Sequence, residues 1–371
     1  MLFKRITLGI LLLLYTLVLA EAYFRVFDPQ ALMPRYITGT PWGVRGNIPN
    51  ARYWNHTPEV DVEYRINSQG LRADRSLPLH KPPGTCRVAV FGDSFFFGIE
   101  LQLPETFEGQ LERRLREAGF RAEVLNFSVG GFGTAEMLQN FTGFGQQFEP
   151  DVVIFSWDDS DVQDNVRSGL FRLNDGRLQP ADSKYLPGVK TSDWLMRFRL
   201  YRAIADHSEF YSFIREKAGL LIKRQIWKSG RSSPTSAPVE QTNIGGEAAE
   251  EESNAEKKRA ALELSSALLL RAHDVVSAQG ADFYVVEIPY KLSRVRVRPS
   301  VNALSSDVQS QINVVGTSAA LNRAARPDLK LYFETGQGHL TPVGVGILVD
   351  ETMKKLHSSP QLAGCAAPPP Q

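Results

Sequence analysis

Short apolar runs, separated by segments with helical periodicity, constrain the fold of this chain more than any other feature of its sequence. Four of them are rich in valine, isoleucine, leucine or phenylalanine and cover residues 87–91, 122–127, 151–157 and 282–288. Runs this short and this uniformly apolar are typical of strands buried on both faces of a parallel sheet. Helices are predicted between and after them, at residues 106–119, from about 134, at about 247–279 and at about 342–357. The alternation predicts an α/β fold with helices on both faces of the sheet. A fifth strand is predicted at residues 329–333.

Composition excludes several classes of function. Lys and Arg together number 42 and Asp and Glu 41, so a net charge of +1 gives no broad electrostatic grip on nucleic acid. Two cysteines are too few for a zinc ribbon or a cysteine-ligated cluster. The six histidines form neither a His-x-His nor a His-Glu-x-x-His pattern. We therefore predict neither a metal centre nor a cofactor.

Candidate catalytic residues follow the predicted strands, where ligands bind in open α/β sheets. Ser94 ends the Gly-Asp-Ser sequence at 92–94, on a strand-to-helix turn that would expose its hydroxyl as a nucleophile. Gly131 lies in a glycine-rich turn after the second run, where bare N–H groups can approach a substrate oxygen. His339 precedes the last helix and is the best available general base for Ser94.

These blocks occur in the order found in GDSL-type or SGNH hydrolases, and the sequence resembles that family over roughly residues 85–160 and 282–357. The resemblance implies a flavodoxin-like three-layer fold and a serine nucleophile that hydrolyses or transfers ester-linked acyl groups. It further implies an oxyanion hole made by the N–H groups of Ser94 and Gly131. Membrane-anchored bacterial members of the family often act on acylated polysaccharides of the cell envelope.

Two positions depart from the family pattern. The third block, which follows the run at 151–157, has Ser160 where the family has an asparagine oxyanion donor. We predict that the shorter hydroxyl of Ser160 donates there instead, although flanking carboxylates would oppose an oxyanion unless they point away. The last block has Gly336 where the family has an aspartate three residues before the histidine. Two arrangements stay open: Glu334 orients His339, or a backbone carbonyl does and the site is a Ser–His dyad.

The N-terminal segment 1–27 places Lys4 and Arg5 before fifteen apolar residues, 6–20. Either it is a cleavable signal peptide with a small-x-small site at 20–22, or it extends through Tyr23 and Phe27 as an uncleaved anchor. Both alternatives predict that the rest of the protein is extracytoplasmic, in the periplasm, because basic residues before an apolar span stay in the cytoplasm.

The remaining segments surround a catalytic domain predicted at 85–358. Residues 28–84 are rich in Pro, Gly, Asn and Arg and predict an extended linker with a small β extension, including a strand at 62–67. A helical insert is predicted at about 165–280, helical over 194–227 and disordered at about 229–246. Residues 359–371 form a tail. In an oxidising compartment, Cys86 and Cys365 either form a disulfide or remain free.

Two functions remain open. The first is an ester hydrolase or O-acyltransferase with Ser94 as nucleophile and His339 as base, acting on an acylated small molecule or glycan at the inner membrane. The second is a catalytically degenerate SGNH domain that binds or scaffolds an acylated polysaccharide. The departures at Ser160 and Gly336 motivate the second. A purely structural envelope protein would show neither ligand binding nor turnover.

Overall fold

The computed structural model describes residues 2–30, 32, 36–181, 191, 193–228, 246–334 and 338–365. Gly336, nearly all of the predicted disordered loop at 229–246 and the end of the predicted tail lie outside the described residues.

The described part of the chain contains thirteen strands and twelve helices, apart from short 3₁₀ turns. The strands are β1 (Ile37–Gly39), β2 (Arg45–Asn47), β3 (Arg52–His56), β4 (Asp61–Arg65), β5 (Cys86–Phe91), β6 (Ala122–Asn126), β7 (Val152–Trp157), β8 (Phe171–Asn174), β9 (Arg177–Pro180), β10 (Asp282–Glu287), β11 (Tyr290–Ser293), β12 (Arg296–Arg298) and β13 (Asn313–Val315). The helices are α1 (Leu2–Phe27), α2 (Ser94–Phe97), α3 (Phe107–Glu117), α4 (Thr134–Gly143), α5 (Asp161–Ser168), α6 (Arg199–His207), α7 (Glu209–Lys228), α8 (Gly246–Ser277), α9 (Ser306–Gln311), α10 (Ser318–Ala324), α11 (Pro342–Leu356) and α12 (Pro360–Ala363).

A five-stranded parallel sheet in the order β13-β10-β7-β5-β6 forms the centre of the molecule. Numbered along the chain, its strands follow the order 5-4-3-1-2, which is the flavodoxin-like arrangement. Every residue of β5 and β7 is buried, as their uninterrupted apolar character predicts for central strands. The predicted α/β class is confirmed.

Apolar side chains alternate between two cores, one on each face of the sheet. Val88 and Val90 of β5 pack with α3 and α11, whereas Ala89 and Phe91 pack with α4 and α8. This alternation follows from the two-residue period of a strand, and it gives the helix–sheet–helix layering.

The fifth strand differs from the prediction. It is β13, which pairs with β10 at only three positions, and not residues 329–333. Leu331, Tyr332 and Phe333 are buried in the core on the face of the sheet that α3 and α11 cover, and Tyr332 makes an isolated β-bridge to Leu340. Their apolar character therefore reflects core packing, whereas the short β13 begins with the polar Asn313.

The described residues of segment 28–84 form a β extension that packs on the α/β domain. Strand β4, close to the predicted 62–67, pairs antiparallel with β3, and β1 pairs with β2. The ring of Tyr36 stacks on Phe97, the last residue of α2, at a centroid distance of 4.7 Å. The extension thus packs directly against the turn that carries Ser94.

The two cysteines form a disulfide. Cys86 at the start of β5 and Cys365 after α12 are bonded, with their Cα atoms 5.6 Å apart. The bond joins the C-terminal segment to a central strand across 279 residues of chain.

Candidate active site

Backbone geometry at the end of β5 places Ser94 on a sharp turn. Gly92 precedes it, and a Cβ there would lie 2.6 Å from the Cβ of Phe96 and 2.7 Å from Oγ of Ser156, so only glycine fits. The carboxyl of Asp93 accepts a hydrogen bond of 2.9 Å from the N–H of Phe95 and caps α2. Ser94 is therefore the first residue of a one-turn helix at the carboxyl edge of the sheet.

His339 lies at hydrogen-bond distance from this serine, as the sequence predicts for a nucleophile and its base. Its Nε2 is 2.8 Å from Oγ of Ser94. The side chain of His339 is 7% exposed, and the ring of Phe95 packs against it edge-on at 4.8 Å. Its backbone carbonyl accepts from the N–H of Phe333 at 2.8 Å, and the side chain of Thr341 caps α11 two residues later. The buried segment 331–333 thus fixes the position of the histidine.

A carboxylate that the sequence analysis did not single out completes this group. Oε2 of Glu100 lies 3.0 Å from Nδ1 of His339 and accepts from its backbone N–H at 3.1 Å. Glu100 is 1% exposed. Because a carboxylate only accepts, Nδ1 carries the proton and Nε2 is left to accept the hydroxyl proton of Ser94.

Glu334 does not occupy that position. Its carboxylate accepts from Arg294 at 2.8 Å, and its N–H donates to Glu59 at 2.7 Å. The neighbour of the imidazole is therefore neither the predicted Glu334 nor a lone backbone carbonyl. One signal could have identified Glu100: it is the sole charged residue among residues 94–104, in an otherwise mainly apolar sequence.

The glycine-rich turn lies beside the Ser94 turn, because the N–H of Val129 donates to the carbonyl of Gly92 at 3.0 Å. Gly131 has a φ of +76°, which favours glycine. Arg45, from β2, donates to the carbonyls of both Gly130 (3.2 Å) and Gly131, and its guanidinium pairs with the buried Glu136 at 2.8 Å.

These bonds determine the orientation of a peptide group. A planar trans peptide points its C=O and N–H in opposite directions. The N–H of Gly131 therefore points away from the guanidinium of Arg45 that holds the carbonyl of Gly130. Arg167 strengthens the arrangement by donating to the carbonyl of Gly131 at 2.8 Å. The second residue that sequence reasoning missed is thus Arg45, which lies in the extension outside the family resemblance.

The predicted donor Ser160 is exposed and engaged elsewhere. Its hydroxyl lies 3.4 Å from Oδ2 of Asp164, in the donor direction. The third-block side chain whose charge acts on Asp93, next to Ser94, is Asp158. Burial, followed by the charge of Asp158, raises the pKa of Asp93 well above its ordinary value. The family pattern has an asparagine amide in the third block. In this chain the third-block side chain beside the Ser94 turn is a carboxyl group, that of Asp158.

A second buried acid extends this acidic side. Asp161 accepts from the N–H of Asp158 at 2.8 Å and from the hydroxyl of Thr134 at 3.2 Å. Burial, then the charge of Asp158, raises the pKa of Asp161 well above its ordinary value. Within the described residues, the one three-residue group with metal-ligand spacing is Cys86, Asp151 and Cys365, whose two sulfurs are bonded to each other.

No family model and no curated protein match the chain. Solved structures that match it include TesA, at 13% identity over 73% of this chain and 97% of that one, with a TM-score of 0.36. A lipase/acylhydrolase from Enterococcus faecalis matches at 13% identity over 73% and 95%, with a TM-score of 0.38. LAE5, an alpha/beta hydrolase enzyme from the metagenome of Lake Arreo, Spain, matches at 11% identity over 76% and 97%, with a TM-score of 0.39. At these TM-scores the likeness carries no inference about activity.

Proposed function

We propose that this protein is a serine ester hydrolase of the SGNH type, in which Ser94 is the nucleophile, His339 the general base and Glu100 the residue that orients the imidazole. The observation that carries the proposal is the continuous hydrogen-bonded chain from Oγ of Ser94 through both ring nitrogens to the Glu100 carboxylate, at 2.8 and 3.0 Å. A nucleophile hydrogen-bonded to a base that a third group orients is the arrangement that activates a hydroxyl.

In the proposed reaction, Oγ of Ser94 bonds to the acyl carbon while Nε2 of His339 takes the hydroxyl proton. The tetrahedral intermediate breaks its bond to the alcohol oxygen, which leaves with that proton, and an acyl-serine remains. Water then attacks the acyl carbon, His339 takes its proton and returns it to Ser94, and the carboxylic acid leaves. A sugar hydroxyl in place of water would yield a new ester, which is the transferase form of the proposal.

The negative charge of the tetrahedral intermediate would be stabilised by the N–H groups of Ser94 and Gly131. Arg45 supports this role because it holds the carbonyl of Gly130 and so directs the N–H of Gly131. The hydroxyl of Ser160, engaged by Asp164, contributes less than the sequence pattern suggests. Preorganised donors of this kind are worth about 10²- to 10³-fold in rate each.

We further propose that α1 remains as a membrane anchor and that the catalytic domain is periplasmic, with an ester-linked acyl group of an exported glycan as substrate. The segment Phe3–Phe27 is long and apolar enough to cross a membrane by length and composition. The family resemblance, rather than any contact, suggests the glycan.

Covalent labelling of the full-length protein in detergent by a fluorophosphonate tests the nucleophile directly. We expect labelling of the wild type and none of Ser94→Ala, with labelling strongly slowed in His339→Ala. Ser160→Ala is the matched control and should label like the wild type. Absence of labelling in a folded wild-type protein would contradict the proposed hydrolase.

The degenerate binding domain is the second candidate, favoured by the carboxyls of Asp93 and Asp158 next to the serine turn. It predicts binding of an acylated glycan that Ser94→Ala leaves unchanged, without release of any acid. Equilibrium binding of the glycan to wild type and Ser94→Ala, combined with the labelling result, distinguishes the two functions.

A further inference from the structure

The end of α1 is joined to the corner between α6 and α7. The carboxylate of Glu21 accepts from the hydroxyl of Ser208 at 2.7 Å and from the N–H groups of Glu209 and Phe210 at 3.2 Å each. It therefore satisfies donors at the beginning of α7 that have no partner within that helix. Arg25 donates to the carbonyl of His207, the last residue of α6, at 2.8 Å.

Aromatic packing reinforces this junction. Phe24 is buried, although the apolar residues before it on α1 are mostly exposed. Its ring lies 4.7 Å from that of Phe213 and 5.9 Å from that of Phe210. The corner between α6 and α7 is therefore packed against the final turns of α1.

An unpartnered apolar face lies next to the junction. Leu200 and Ile204 occupy positions i and i+4 of α6 and are 75% and 42% exposed, whereas Ala205 on the other side is buried. Trp194 and Phe198, just before the helix, are exposed as well. We call the exposed pair Leu200 and Ile204 the α6 face.

The junction sets an upper limit on the distance between this face and the end of α1. Because Arg25 binds His207, and because an α-helix rises about 1.5 Å per residue, Leu200 is about 10 Å along α6 from the junction. The interfacial zone of a bilayer is roughly 5–10 Å deep on each side. Arg199 and Arg202 flank the apolar residues of α6, which suits anionic lipid headgroups.

We propose that the α6 face lies in the interface of the same membrane that α1 enters, and so holds the catalytic domain at a fixed height above the lipid. This inference depends on the proposed anchoring by α1 but not on the proposed hydrolysis. The occupant is the bilayer surface because α1 continues into that bilayer. Tyr23 and Phe27, at the end of α1, are exposed aromatic side chains of the kind that lies in the membrane interface. In this proposal they lie at the same depth as the α6 face.

Fluorescence quenching in vesicles tests the proposal. A single cysteine replaces Ile204, and an environment-sensitive fluorophore is attached to it; Cys86 and Cys365 are bonded to each other and do not compete for the label. The matched control is Leu79→Cys, because Leu79 is 40% exposed but lies in the β extension. The full-length protein is inserted into vesicles of phosphatidylcholine and phosphatidylglycerol that carry a nitroxide near the headgroup end of one acyl chain.

We expect the label at position 204 to be quenched and its emission to shift to the blue, while the label at 79 stays unquenched. Adding Leu200→Glu should reduce quenching at 204 without releasing the protein from the vesicles, since α1 still spans them. Equal, water-like emission at both positions in vesicles that retain the protein would overturn the proposal. So would a blue shift at 204 that depends on protein concentration and not on the nitroxide, which would indicate a second copy of the chain.

Flotation of the vesicles and hydrolysis of a water-soluble ester are measured on the same samples. Protein that does not float would overturn both the anchoring and the α6 face. Protein that floats and is quenched at 204, but hydrolyses no ester, would contradict the proposed hydrolase and leave the membrane surface supported.

Discussion

The two sides of the candidate site are built differently. On the proton-transfer side, Ser94, His339 and Glu100 are connected side chain to side chain, with the imidazole and the carboxylate almost fully buried. On the oxyanion side, a glycine peptide is held by an arginine, and the neighbouring side chains are acids. The proton-transfer side depends on which side chains are present. The oxyanion side depends on the orientation of a backbone N–H group and on the charge of the neighbouring carboxyls.

Because of this difference, a departure from the family's sequence pattern is compensated by another residue on the proton-transfer side but not on the oxyanion side. The acid beside the histidine is absent from its expected place, yet Glu100 supplies a carboxylate from another segment at the same ring nitrogen. The missing asparagine has no comparable replacement, because Ser160 faces Asp164 and Asp158 faces Asp93. We therefore expect the proton-transfer side to be intact and the oxyanion side to limit the rate.

Replacing the nucleophile should have the largest effect. Ser94→Ala removes the atom that forms the acyl-enzyme, and we expect kcat to fall by about 10⁴- to 10⁶-fold, as in other enzymes whose serine acts with a histidine. Hydrolysis of a soluble ester measures this loss, with the thermal unfolding midpoint checked in parallel. Retained hydrolysis in a folded Ser94→Ala protein would contradict the mechanism.

The two glutamates near the histidine allow a matched comparison. Glu100→Gln should lower kcat by about 10⁴-fold, because an amide at Nδ1 of His339 no longer selects the tautomer in which Nε2 accepts. Glu334→Gln, which only alters the contact with Arg294, should leave kcat within about twofold, as expected for an exposed ion pair. The opposite ranking of the two variants would show that Glu334 orients the base.

Arg45 tests whether backbone orientation matters on the other side. In a Glu136→Gln background, which avoids leaving a buried carboxylate unpaired, Arg45→Met frees the carbonyl of Gly130. We expect kcat to fall by about 10²-fold with little change in KM, since the N–H of Gly131 would matter mainly in the transition state.

Arg65→Met, an exposed arginine of the same extension, is the control and should keep its activity. If Arg45→Met raised KM and left kcat unchanged, that result would indicate that Arg45 contacts the substrate instead.

The fold was predictable where local pattern and tertiary role agree. Central strands β5 and β7 are buried at every position, so their apolar runs identify them without knowledge of their neighbours. The edge strand β13 is three residues long and one of them, Asn313, is polar, whereas the predicted segment 329–333 is a longer run with four apolar residues. A short edge strand gives little periodic signal in the sequence, because it has few residues and few of them are buried.

The candidate site was predictable only in part, for a related reason. Ser94 and His339 each follow a recognisable block, and the structure brings them together. Glu100 and Arg45 have no motif, since each acts through a contact that exists only after the chain has folded. Glu100 is 239 residues from His339, and Arg45 is 85 residues from Gly130, so no local spacing could indicate either pair.

The smallest expected effect concerns the acidic pair on the oxyanion side. The raised pKa of Asp93 means that this buried carboxyl, next to Asp158, keeps its proton to a higher pH than an ordinary aspartate does. As the pH rises through that raised pKa, the pair loses the proton, and a second negative charge opposes the oxyanion. The wild-type rate should therefore decline on the alkaline side, and Asp158→Asn, whose amide donates to Asp93 without titrating, should extend the plateau while changing the neutral rate only a few-fold.

Stability should follow the same sign. A carboxyl whose pKa is higher in the folded than in the unfolded state contributes stability at low pH that is lost as the pH rises through the folded value. The unfolding midpoint of the wild type should thus decrease toward alkaline pH more steeply than that of Asp158→Asn. Asp74→Asn, which alters an exposed contact with Arg65 in the β extension, is the control and should keep the wild-type profile of rate against pH. An alkaline decline that is identical in all three proteins would mean that the acidic pair does not govern the oxyanion side, and that the backbone held by Arg45 acts there alone.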